Sequence, residues 1–146
     1  MKPKQGYSEL RKHRSSVINK TYHLTFSTKS RIKYFNDFNL ARKLIKILKQ
    51  DEERGQSTTL AFVIMPDHVH WLMNLTSGNL ALTVKRIKRL LSKEMNMPLW
   101  NEGYYDHNVR DNDDLVNIAR YIVANPLRAG LVRSVKEYPH WDAVWL

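Results

Sequence analysis

Two histidines one residue apart, His68 and His70, open an apolar run in the stretch AFVIMPDHVHWLMNL, residues 61–75. Apolar runs on both sides of the Pro66-Asp67 break read as strand, turn and strand. Side chains alternate faces along a strand, so both imidazoles leave one side of the sheet and Val69 the other. Two imidazoles so placed can share one divalent ion. A His-x-His pair also arises by chance, so the reading depends on what else reaches that face. About fifty residues downstream, Tyr121 and Asn125 stand four apart in a helical pattern and share a helix face. A tyrosine is a potential nucleophile, although a free phenol titrates only near pH ~10. The Asn125 carbonyl oxygen suits Mg2+ or Mn2+. His68, His70 and Asn125 would then hold one divalent cation, with positions left for water and a phosphate, and the cation would polarise a phosphodiester for Tyr121. No residue stands out as a general base. The competing reading makes Tyr121 a helix-flank aromatic and Asn125 merely a helix C-terminal residue before Pro126.

The elements that must hold these residues follow from hydrophobic periodicity. Tyr22–Ser27 alternates as a strand. Asp37 or Asn36 caps a helix running to about Gln50, with Leu40, Leu44, Ile47 and Leu48 on its buried face. Thr59–Met65 and His68–Asn74 are strands, Leu80–Met95 is an amphipathic helix with a Leu80, Val84, Ile87, Leu91 stripe, and Tyr104–Arg110 is a fourth strand. A third helix, capped by Asp111 or Asn112, runs to about Ala124 or Asn125 and stops before Pro126. This order predicts an α+β fold, a ferredoxin-like βαββαβ antiparallel sheet with an additional helix carrying Tyr121. Val69, Trp71 and Met73 should lie under the first two helices. The third helix should dock on the histidine face through Leu115, Ile118, Ala119 and Ile122. Residues 1–146 are expected to form one domain, with residues 1–20 as a basic arm. Trp141, Val144 and Trp145 should pack back onto it.

Composition narrows the chemistry. The 146 residues contain no cysteine, which excludes disulfides, thiolate ligands and a thiol nucleophile. Neither a signal peptide nor a membrane span is visible, so a cytoplasmic protein with no membrane partner is expected. The net charge of +10 points to a polyanion, most simply nucleic acid. Before residue 34 the sole acid is Glu9. Lys12 and Arg14 in the arm, and Lys85, Arg86, Arg89 and Lys93 on the second helix, are candidate DNA contacts. A solvated charged face is the alternative, although no i,i+4 acid neutralises the helical stripe.

His68-Val69-His70, within MPDHVHWL, resembles the His-hydrophobe-His motif of the HUH endonucleases. YYDHNVRDNDDLVNIARYIVANPLRAGLV resembles the tyrosine helix of the single-tyrosine (Y1) transposases. More narrowly, it is similar to the REP-associated tyrosine transposases, whose helix carries Tyr followed four residues later by Asn and Pro, as in Tyr121 to Asn125-Pro126. Relatives of the IS200/IS605 type usually have Gln in that place. The resemblance spans about Thr21 to Val132. It implies one divalent cation, Mg2+ or Mn2+, on His68, His70 and Asn125. It also implies attack by Tyr121 on single-stranded DNA, giving a 5′-phosphotyrosine and a free 3′-OH. The implied substrate is a REP-like palindromic hairpin, the implied setting the bacterial nucleoid, and the active unit a monomer or a homodimer. Tyr104 and Tyr105 rank below Tyr121, because they sit on a strand without an amide four residues on. His107 matches a histidine of the family pattern and is either near the site or an ordinary strand residue. His13, His23 and His140 read as non-catalytic, and Asp67 either shapes its turn or orients a histidine. Two other functions compete: a non-catalytic hairpin-binding module for single-stranded DNA or RNA, and a metal phosphoesterase in which water attacks.

Overall fold

Alternation sets the sheet. In β1 (Thr21–Ser27), Tyr22, Leu24 and Phe26 are buried on one face, and His23, Thr25 and Ser27 are half-buried on the other. The computed structural model describes residues 16–145, and within it β1 lies between β3 (His68–Leu75) and β4 (Tyr105–Val109). On its other side β3 pairs with β2 (Ser57–Ile64). The order β4-β1-β3-β2, with every neighbour antiparallel, is the expected ferredoxin-like arrangement. A fifth strand, β5 (Trp141–Ala143), joins the outer side of β2. Three residues are too few for a periodic pattern, so this strand is not visible in the sequence. Trp141 packs on the domain as expected, but Val144 and Trp145 remain exposed. The Val144 amide still donates to the Leu60 carbonyl at 2.9 Å, so the backbone stays at the edge of β2 while these two side chains are left in solvent.

Two helices cover the face opposite the histidines. Helix α1 (Phe38–Glu53) begins at Asp37, whose carboxylate accepts hydrogen bonds from the amides of Asn39 and Leu40. Helix α2 (Leu80–Met95) begins at Asn79, whose side chain accepts from the Leu82 amide, and ends at Asn96 in the left-handed region. Their apolar stripes close over Val69, Trp71 and Met73, all with no exposed surface. Helix α3 (Asn112–Val123) takes the other face. Ala119, Ile122 and Val123 are buried there with Val63, Met65 and Leu72, while Leu115 and Ile118 pack at the margin. Helix α3 stops before Pro126 as expected, with Ala124 as its C-cap, but the chain does not then become irregular. After Ala124 a short helix, α4 (Asn125–Arg128), begins with Pro126 in its first turn, where a missing N–H costs nothing.

The basic stripe on α2 is divided. Arg86, a candidate DNA contact, instead donates from Nε to Asp51 Oδ1 at 2.7 Å and from a terminal nitrogen to Oδ2 at 3.1 Å. Asp51 is buried at the end of α1 and also accepts from Ser57 Oγ. The partner stands 35 residues away, beyond the reach of an i,i+4 search. Lys85, Arg89 and Lys93 are exposed, as phosphate contacts require. Lys12 and Arg14 lie outside the described residues. Replacing Arg86 with Met should cost about 2–4 kcal/mol, because it strands the buried carboxylate. Lys85→Met should change stability by less than about 0.5 kcal/mol. Urea unfolding of the two variants checks this, and equal midpoints would refute a structural role for Arg86. No helix among the described residues is long and apolar enough to cross a membrane.

Candidate active site

The β1–β3 register sets His70 across from Thr25 and His68 across from Ser27. The two imidazoles share a face as predicted, with ring centroids 5.0 Å apart and planes nearly perpendicular. Each is held through Nδ1. His68 Nδ1 lies 2.8 Å from Asp67 Oδ1, and Asp67 Oδ2 accepts from Arg31 Nε at 3.1 Å. Asp67 therefore does more than shape the turn. Burial pulls its carboxyl upward, but hydrogen bonds and charge from His68 and Arg31 more than offset this and hold it below the usual range. His70 Nδ1 lies 2.9 Å from His23 Nε2 and 3.2 Å from Thr25 Oγ1.

The sequence offers no reason to couple His23 to the site, yet the structure sets it against His70. Its alternation with Thr25 and Ser27 is the signal that could have revealed this, once β1 was known to neighbour β3. On its other side His23 stands in register with His107, which is exposed at the sheet edge. Burial pushes His70 down to about 3 and His23 down to about 4, helped by the charges of neighbouring histidines. Both are therefore neutral near pH 7.

This has a consequence for stability. Below the free-imidazole value of about 6.5, the unfolded chain takes up protons that the folded chain refuses. The contribution of the neutral pair is complete above that pH and is lost as pH falls toward the folded values. For His23 alone the loss by pH ~4 is on the order of 3 kcal/mol. Thermal melts in EDTA should show a steep fall in Tm between pH ~6.5 and ~4.5, shallower in His23→Asn. Parallel profiles for the two proteins would rule the account out.

Tyr121 is half-exposed on the flank of α3. Arg128, at the end of α4, places its guanidinium carbon 3.7 Å from the centre of the Tyr121 ring and donates to the Tyr121 carbonyl at 2.7 Å. The same charge also depresses His70. Helix α3, which carries Tyr121, lies on the histidine side of the sheet through its packing against Val63 and Leu72. Sequence reasoning missed Arg128 because it lies beyond Pro126, which reads as a stop. Asn125 opens α4 one helical turn after Tyr121, and its amide nitrogen is buried without a hydrogen-bond partner. Of the other tyrosines, Tyr104 is buried, whereas Tyr105 is 70% exposed and in register with Thr25, on the histidine face.

The donors fit a divalent cation. When each Nδ1 carries the proton, toward Asp67 or His23, each Nε2 keeps a lone pair. Among the described residues no three His, Cys, Asp or Glu side chains form a metal-holding group, so a third protein donor would have to be of another type, such as an amide oxygen. The orphaned end of Asn125 suits this. The two ends of an amide exchange by a flip, which would bring the carbonyl oxygen to the unpaired position. The two imidazoles thus share one sheet face, and the helix packed on that face carries the Tyr121 phenol, covered by the Arg128 guanidinium.

A family model described as "Transposase IS200 like" matches residues 16–125. A Haemophilus influenzae protein named "Putative REP-associated tyrosine transposase" is 32% identical, over 73% of this chain and 67% of that protein. The REP-associated tyrosine transposase of Escherichia coli K12 is 26% identical over 54% of this chain and 50% of that protein, so the chain spans about half the length of this relative. Among solved structures, a REP-associated tyrosine transposase bound to a REP hairpin superposes with a TM-score of 0.74 at 21% identity, over 86% of this chain and 78% of that one. That likeness shows a shared fold.

Proposed function

The chain belongs to the IS200-like transposase family, and from that premise we propose that it nicks and rejoins single-stranded DNA at REP-type hairpins through a 5′-phosphotyrosine intermediate. The observation that carries the reading is that helix α3, which bears Tyr121 under the Arg128 guanidinium, packs on the sheet face from which His68 and His70 project. In this reading His68, His70 and Asn125 hold one Mg2+ or Mn2+, and Asp67 and His23 fix the two imidazole rings. When bound, the cation supplies Lewis-acid polarisation of the phosphate and offsets developing charge.

Tyr121 Oη attacks the phosphorus and a new P–O bond forms. The bond from phosphorus to the 3′-oxygen breaks, the phenol proton passes to solvent, and the leaving 3′-oxygen takes up a proton. Arg128 lies where it can stabilise negative charge as the bond forms. Because a phosphodiester replaces a phosphodiester, the 3′-OH can attack the phosphotyrosine and restore the strand without ATP. Lys85, Arg89 and Lys93, together with Lys12 and Arg14 of the basic arm, would contact hairpin phosphates, which position DNA without reading its sequence. Support for a hairpin comes from the solved relative, which carries one. We read residues 1–146 as one catalytic domain.

The test is a denaturing gel of the purified full chain with 3′-labelled single-stranded hairpin DNA and Mn2+. The expected result is a slow band that survives denaturation and disappears when the label is moved to the 5′ end. Cleavage without that band would favour attack by water. No cleavage of several palindromes with either cation would favour a binding module.

A further inference from the structure

We propose that the cleft beside the histidines is a subsite for one unstacked DNA base bearing an exocyclic amino group. Tyr105, Glu102, Arg31, Thr25, Ser27 and Gly103 are among the residues that line it. This rests on the nicking reading, in which the scissile phosphate lies at the neighbouring histidines.

Position comes first. Tyr105 is in register with Thr25, and Thr25 Oγ1 lies 3.2 Å from His70 Nδ1. Tyr105 and His70 therefore stand on one face of strands two apart, with backbones roughly 10 Å from each other at the usual interstrand spacing. The base of a nucleotide whose phosphate sits at His70 can reach that far. A 70% exposed tyrosine ring anchored on a strand offers a flat stacking surface that costs little entropy to use.

The loop that carries Glu102 is built rather than incidental. Gly103 turns with φ +80°, a conformation that disfavours a side chain. Lys88 Nζ donates to the carbonyls of Asn101 and Gly103 at 2.8 and 2.6 Å. Asn101 Nδ2 donates to Ser27 Oγ at 3.0 Å, and the Asn101 amide donates to the Ser27 carbonyl at 3.0 Å. Glu102 is thus carried by a loop fixed on both sides, which limits the ordering cost of binding.

The charges choose the ligand. Arg31 is positive but already bound to Asp67, and Glu102 is negative. A carboxylate repels a phosphate, whereas it accepts hydrogen bonds from the amino group of cytosine. Adenine and guanine carry amino groups too, and thymine carries none. The cleft therefore suits a base edge, and the phosphates belong outside it.

Fluorescence anisotropy in EDTA, where no cleavage occurs, tests this with a labelled hairpin carrying a single-stranded flank. An abasic site is moved through the flank one position at a time. Tyr105→Ala should weaken binding about 5- to 150-fold, Tyr105→Trp should keep it, and the loss should vanish at one abasic position. Thymine at that position should weaken wild type but not Glu102→Gln. Unchanged binding by Tyr105→Ala, or a loss that adds to every abasic substitution, would overturn the subsite. If the cycle holds but wild type forms no covalent band with Mn2+, the subsite stands and the nicking reading falls.

Discussion

Tyr121→Phe should abolish the covalent protein–DNA band while leaving hairpin affinity within about twofold, since surface changes away from buried contacts rarely matter more. The variant loses one oxygen and keeps the ring that Arg128 covers. Removing a nucleophile costs on the order of 10^3- to 10^6-fold in other covalent enzymes, so the band should fall below detection. Tyr105→Phe is the necessary companion. Of Tyr104 and Tyr105, the second faces the histidine side and is exposed, so it is the geometric rival. It should keep full adduct formation. If the band survives in Tyr121→Phe and disappears in Tyr105→Phe, the nucleophile is Tyr105. Arg128→Met should slow adduct formation by about 100- to 1,000-fold at saturating DNA, the scale on which a transition-state donor acts.

The elements that hold the site are legible because each carries its own pattern. Alternation alone puts His68 and His70 on one face, and the 3.6-residue period alone turns Ile122 toward the sheet and Tyr121 toward its flank. Pairings between distant elements are not legible. The contact of His23 with His70 depends on β1 lying beside β3, 47 residues away in sequence. Arg86 and Asp51 meet only because α1 and α2 lie side by side, and local charge counting leaves Arg86 looking free. Arg128 is hidden for another reason. Pro126 normally signals the end of a helix, but here it opens the next one and carries the arginine back over Tyr121.

Asp67→Asn and His68→Ala should separate orienting a ligand from being one. His68→Ala removes a donor, so Mn2+ binding and cleavage should both be lost, as they should be for wild type in excess EDTA. Asp67→Asn keeps an acceptor near His68 Nδ1 but removes the charge that favours the Nδ1-protonated ring. Loss of such a partner costs about 10- to 100-fold in metal affinity elsewhere. Electron paramagnetic resonance of free Mn2+ reads the affinity without needing turnover, and excess Mn2+ should restore cleavage to Asp67→Asn but not to His68→Ala. The turn itself should survive the change. The Asp67 carbonyl accepts from the Thr28 amide at 2.9 Å and from Thr28 Oγ1 at 3.1 Å, and asparagine retains that carbonyl. Arg31 loses its ion pair in the variant, but that pair is more than half exposed on the arginine side and contributes no more than about 1 kcal/mol. A weakened Mn2+ affinity with an unchanged melting temperature would therefore trace to the imidazole. The reverse pattern would reduce Asp67 to a turn residue and leave His68 to orient itself.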